Sequence, residues 1–234
     1  MDFRRYKILV TLVWRIRFFK FIFVVVKEFI GINQEFGSNQ TTRTSPWLRN
    51  RFSSPAPNFV KWEVLNRWGS CGTWVETGTY LGETTEYLSR SCDLIISVEP
   101  SQELASRAKL LFENSNNVKI VNGTSEEFIG KILDGLSKES NRDINFWLDG
   151  HFSAGMTYLG NKPCPIVDEL LSVGERMKEF SKVSIFVDDV RAFSVGKARD
   201  VNYPNLDFLV NWANQHNLGW TIEHDIFVMT NRFQ

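Results

Sequence analysis

The chain has 234 residues, 43% of them apolar and 14% aromatic, enough for one sizeable α/β domain with an appendage. Its 27 basic and 27 acidic residues cancel. Arg4, Arg5, Lys7, Arg15, Arg17, Lys20 and Lys27 lie in the first 31 residues against Asp2 and Glu28 alone, so the remainder is mildly acidic, which argues against a nucleic-acid-binding body.

Residues 6–32 are strongly apolar, with uninterrupted runs over 8–14 and 21–26, both short of the roughly 20 residues a membrane span needs. Arg15, Arg17 and Lys20 interrupt the middle and no small-residue cleavage site follows, so a signal peptide is not expected. Two readings stay open for segment 1–32. It packs on its own domain or on a partner, a second copy of the chain included. Alternatively it makes a peripheral contact with the anionic inner face of a membrane, its Lys and Arg side chains snorkelling to the headgroups. Residues 33–57, rich in Asn, Ser, Thr, Arg and Pro without a hydrophobic period, read as a linker before a domain over 58–234. Cys71, Cys92 and Cys164 are odd in number and follow no metal spacing, which points to a reducing, cytoplasmic compartment.

The domain opens with a lead-in helix over 59–68, carrying Val60, Val64 and Leu65 with Trp62 and Trp68 nearby. From Thr73 the pattern becomes regular. A strand reaches Glu76, a turn carries Thr77, Gly78, Tyr80 and Gly82, and a helix follows over 83–90. A second strand over 94–98 ends in Glu99-Pro100, and Ser101 caps the helix after it. The third strand, 118–121, leads through Asn122-Gly-Thr124-Ser125 into a helix over 126–136. The fourth, 144–148, ends in Asp149-Gly-His151, and a long loop reaches the helix over 165–180. The fifth, 183–187, ends in Asp188-Asp189; a helix over 206–216 and a hairpin over 220–230 close the chain. Five β-α units and a hairpin predict a mostly parallel sheet, covered by helices on both faces, with an antiparallel hairpin at its C-terminal end. In such sheets ligands bind outside the carboxyl ends of the strands, the edge where Glu76, Glu99, Thr124, Ser125, Asp149, His151, Asp188 and Asp189 fall.

That edge resembles the class I S-adenosylmethionine-dependent methyltransferases, with a Rossmann-like seven-stranded sheet, over roughly residues 59–234. The acidic residue and glycines after the first strand are matched by Glu76, Gly78 and Gly82, and the acidic end of the second strand by Glu99; Tyr80 stands where a middle glycine is commoner. The resemblance implies that Glu99 takes the ribose hydroxyls, that the 76–82 turn faces the amino-acid part of S-adenosylmethionine, and that Thr124 and Ser125 line the adenine. Apart from the resemblance, a carboxylate suits a diol because it accepts charge-assisted hydrogen bonds from both hydroxyls.

Within the family, Asp149, Asp188 and Asp189 are placed like the Mg²⁺-binding acids of sugar O-methyltransferases of the macrocin O-methyltransferase type. Clustered carboxylates repel, and a hard divalent cation relieves the repulsion. His151 or Asp149 is expected as the base that removes a hydroxyl proton. The resulting expectation is an O-methyltransferase using S-adenosylmethionine and Mg²⁺ on a sugar or other polyol-like small molecule or glycan. Two other readings stand beside it: a non-catalytic scaffold that retains the fold, and a nicotinamide-dependent oxidoreductase, against which the glycine spacing speaks.

Overall fold

A computed structural model describes residues 46–136, 143–150, 164–193 and 203–232. The chain divides into two compact units, Met1–Arg51 and Phe52–Gln234. Of the first, the described part is a helical turn over 46–49 and the two residues after it. The expectations for segment 1–32 therefore lie outside the described residues. Within them, no helix is long and apolar enough to cross a membrane.

The second unit runs α1 (Asn58–Trp68), β1 (Thr73–Thr77), α2 (Glu83–Ser89), β2 (Leu94–Glu99), α3 (Gln102–Leu111), β3 (Val118–Asn122), α4 (Ser125–Leu136), β4 (Asp143–Leu148), α5 (Ile166–Arg176), β5 (Lys182–Val187), α6 (Leu206–Gln215), β6 (Gly219–Glu223) and β7 (Ile226–Thr230). Seven strands form one sheet in the order β3-β2-β1-β4-β5-β7-β6. The first five are parallel, and β7 runs antiparallel to both β5 and β6. The Rossmann-like seven-stranded architecture expected from the sequence is present.

Alternation along the strands sorts the core onto two faces. Val75, Ile144, Phe146, Ile185 and Phe227 join Ile129 and Leu133 of α4, Leu170 and Val173 of α5, and Leu209 of α6. Their strand neighbours Trp74, Ile95, Trp147, Phe186 and Val228 point the other way, onto Val64 and Leu65 of α1 and Leu88 of α2. Trp74 and Phe186 stack there with centroids 5.5 Å apart. The sheet is thus buried on both sides, which is why its strands read as near-continuous apolar runs.

Local chemistry sets the element ends. Ser101 accepts from the Leu104 N–H at 3.4 Å and caps α3, as its position predicts. The β6–β7 hairpin turns on His224 and Asp225, both with positive φ (48° and 74°), as a two-residue turn matched to strand twist requires. Two boundaries differ from the sequence expectation. The helix after residue 165 ends at Arg176 and continues as a 3-10 turn over Met177–Glu179. Strand β1 continues one residue past Glu76, through Thr77, and all five of its residues are buried.

The strand order places a reversal between β1 and β4: from β1 the chain builds outward to β3, then returns to the far side of β1. A crevice opens at such a switch point, outside the carboxyl ends of the two strands. The residues that follow β1 and β4 are the glycine turn and Asp149.

Candidate functional site

The glycine turn is shaped by how closely β4 approaches it. Gly78 has φ +85°, and a Cβ there would lie 2.7 Å from the Asp149 carbonyl oxygen. Only glycine accepts both the left-handed backbone and that contact. The Gly78 N–H donates to the Val98 carbonyl (2.9 Å) and the Gly82 N–H to that of Thr79 (2.8 Å), which folds the turn over the end of β2. Tyr80 sits at its crest with φ +48° and its ring exposed.

Two carboxylates brace this turn from different sides. Glu99, only 3% exposed, ends β2. Its Oε2 accepts from the Tyr80 N–H at 2.8 Å, and its Oε1 from the Ser101 N–H at 2.9 Å. Each oxygen keeps a further lone pair, so the group remains able to receive a diol. Glu76 is 1% exposed and lies beneath the turn, inside the sheet. Its Oε2 accepts from the Ser97 hydroxyl at 2.5 Å and from the Thr85 hydroxyl. Burial pushes its pKa up to about 7 against the pull of those two hydroxyls, and neighbouring Glu99 adds to the rise. The sequence places Glu76 among cofactor contacts; the structure places it as an internal tie between β1, β2 and α2.

Thr77, the last residue of β1, is buried, and its hydroxyl has no hydrogen-bond partner. A Cβ on Gly150 would sit 3.0 Å from that hydroxyl and 3.3 Å from Glu169 Oε1 of α5. Thr124 and Ser125 follow β3. The Thr124 carbonyl accepts from the Glu127 and Phe128 N–H groups, both at 3.2 Å, as α4 begins, and Ser125 is buried.

Across the switch point, Asp149 and Asp188 end the adjacent strands β4 and β5, as the sequence places them. The Asp149 N–H donates to the Thr77 carbonyl (3.3 Å) and the Asp188 N–H to that of Leu148 (3.1 Å). Asp188 is 2% exposed and forms an ion pair with Lys61 of α1. Lys61 Nζ also lies 3.9 Å from Asp189 Oδ1. Burial works against the Lys61 ammonium, but Asp188, Asp149 and Asp189 together outweigh it and hold its pKa above the ordinary value. Asp188 is pushed up, because burial costs its carboxylate more than Lys61 returns, and Asp189 adds to the rise. Asp189, at φ +57°, receives Arg191 Nη1 at 2.6 Å, and the same guanidinium pairs with Asp225 of the hairpin turn. Beside Asp188 is a cavity of about 10 Å³, room for one water molecule, which Gly150, Glu169 and Tyr203 also line.

The expected metal site does not have this donor set. Among the described residues, no three His, Cys, Asp or Glu side chains converge as metal ligands would. The repulsion that a Mg²⁺ ion was expected to relieve is met by Lys61 and Arg191. His151, one of the two expected bases, and the expected acceptor loop over 152–163 lie outside the described residues. His216 packs its ring on Trp212 with centroids 4.2 Å apart, a structural role.

Sequence reasoning missed Lys61, Arg191 and Thr77. A signal for Lys61 exists: it stands three and four residues before Val64 and Leu65, on the helical stripe that those two bury. A lysine on a buried stripe needs an acid to meet it.

No protein-family model matches the chain, and no curated protein is similar to it in sequence. Solved structures do share its fold. An O-methyltransferase from Bacillus cereus in complex with SAH is 14% identical, with 88% of this chain and 96% of that one covered and a TM-score of 0.50. A SAM-dependent methyltransferase from Aquifex aeolicus is 14% identical over 84% of this chain and 98% of its own, with a TM-score of 0.43. An rRNA methylase from Streptococcus thermophilus is 13% identical over 75% and 95%, with a TM-score of 0.45. At these identities the likeness is one of fold.

Proposed function

We propose that this chain transfers a methyl group from S-adenosylmethionine to a hydroxyl of a small, polyol-like acceptor. The observation that carries the reading is the pairing of the Gly78–Gly82 turn with a buried Glu99 at the switch point. Both Glu99 oxygens are held by backbone N–H groups of the elements that would border the ligand. The Bacillus cereus O-methyltransferase, which shares this fold and is in complex with SAH, supports the cofactor class.

In this reading Glu99 receives the ribose diol, the 77–82 turn borders the amino-acid part, and Thr124 and Ser125 border the adenine. When bound, S-adenosylmethionine supplies an electrophilic methyl group with a neutral thioether as leaving group. The chain's own part is positioning, since transfer requires acceptor oxygen, methyl carbon and sulfur in line. Asp149, beyond β4 across the crevice, or His151 two residues on, takes the hydroxyl proton as the O–C bond forms. The Mg²⁺ of the sequence expectation is not carried into this reading, because Lys61 already balances Asp188.

The test is transfer of isotope-labelled methyl from S-adenosylmethionine to a panel of monosaccharides and short glycans. Label that survives mild alkali marks a methyl ether and supports the reading; label lost to alkali marks an ester and contradicts the hydroxyl acceptor. Transfer to none of the panel, by folded protein that binds S-adenosylhomocysteine, contradicts the polyol class.

A further inference from the structure

The acids at the ends of β4 and β5 form a charged group with two cations already in place. Lys61 reaches Asp188 from α1, 127 residues away in sequence. Its side chain is 13% exposed and that of Asp188 is 1%. Asp189 lies within 4 Å of Lys61 and is bonded to Arg191, which also holds Asp225. Asp149 adds a third negative charge within Coulomb reach of the ammonium. Asp188 Oδ1 is buried with no hydrogen-bond partner, so the pair is held on one oxygen while the other stays open beside the cavity.

We infer that Lys61 is the resident cation of this edge, taking by its ammonium the charge and place that a divalent ion would take among Asp149, Asp188 and Asp189. Mg²⁺ gains its binding energy from carboxylates near its own small radius and from the waters it keeps. A fixed ammonium on Asp188 both removes that carboxylate from the donor set and repels an arriving dication. The helix that bears Lys61 is anchored beside the site, so the ammonium is not free to swing away. Asn58 donates to Glu83 of α2 at 2.6 Å, and Trp62 donates to Thr84 at 3.3 Å while stacking on Tyr87 with centroids 4.7 Å apart. Lys61 is therefore a positioning residue: it fixes the Asp188 carboxylate with Oδ1 turned to receive a hydrogen-bond donor. The inference concerns the charge at this edge and stands apart from which reaction the chain performs.

The test is Mn²⁺ titration of the full chain followed by electron paramagnetic resonance, with Mg²⁺ as competitor. The wild type is expected to show no saturable site up to millimolar Mn²⁺. Lys61→Ala, which removes the ammonium and leaves the acids, is expected to gain a saturable site that Mg²⁺ displaces, and a further Asp188→Asn should abolish it. Lys61→Arg, which keeps the charge, should gain none. The tightening from wild type to Lys61→Ala should be about tenfold or more, because a repelling charge within a few ångströms has gone. If Lys61→Ala folds poorly, a rise of its thermal midpoint on adding Mn²⁺, with the wild type unmoved, is the expected result. Saturable Mn²⁺ binding by the wild type that Asp188→Asn removes would overturn the inference. So would a Lys61→Ala protein that neither binds Mn²⁺ nor is stabilised by it. Binding of S-adenosylhomocysteine enters none of these readouts, so failure here and failure of the transfer reading are separable.

Discussion

Glu76 and Lys61 show how single side chains carry the strain of this site. Glu76 is fully buried, and its pKa of about 7 lies above the ordinary 4.5, so the folded state keeps its proton over a pH range where the unfolded chain has lost it. Stability from this group is therefore fully present below about pH 4.5 and falls as pH rises to about 7. The loss amounts to something on the order of 3 kcal/mol if the whole shift is expressed. Glu76→Gln keeps an oxygen for Ser97 and Thr85 and removes the proton. Its thermal midpoint should match the wild type near pH 5 and exceed it near pH 8; equal pH slopes would contradict the assignment. Lys61 works in the opposite direction, since its removal strands a buried carboxylate. Lys61→Met should cost about 3–5 kcal/mol in urea unfolding, and Lys61→Met/Asp188→Leu should recover much of it. A single variant as stable as the wild type would show that the pair is not buried in solution.

At the scale of elements, the turn after β1 is the part that tolerates least. Gly78→Ala puts a Cβ 2.7 Å from a backbone carbonyl in a left-handed conformation. The conformation alone costs about 1–2 kcal/mol, and the carbonyl belongs to a strand end that cannot shift cheaply. In α4, by contrast, a Cβ on Gly135 meets nothing within 4 Å. Gly135→Ala should stabilise by about 0.5–1 kcal/mol, the ordinary helical preference. The two variants measured side by side in denaturant separate backbone strain from propensity. Opposite signs are expected, and a neutral Gly78→Ala would mean that β1 and β4 do not meet as described.

Over the whole molecule, the sheet was legible because its signals are local. Apolar runs of strand length, capping Ser101, the His224-Asp225 turn and the acids that close each strand all lie within a few residues of what they specify. Their convergence on one edge follows from the parallel order. What the sequence hid is what depends on distant pairing. Lys61 meets Asp188 across 127 positions, and Arg191 meets Asp225 across 34, so the acids read as an open metal set when their charge was already matched. Glu76 was hidden by a single residue: because strand side chains alternate, extending β1 through Thr77 buries the carboxylate and brings a threonine to the strand end.

The central claim is that the Gly78–Gly82 turn and Glu99 hold S-adenosylmethionine, and calorimetric titration with S-adenosylhomocysteine tests it most directly. The wild type should bind it, NAD⁺ should give no heat, and Glu99→Ala should weaken binding by about tenfold or more, the scale of charge-assisted bonds lost. Folded wild-type protein that does not bind S-adenosylhomocysteine, or that binds NAD⁺ instead, would contradict the account.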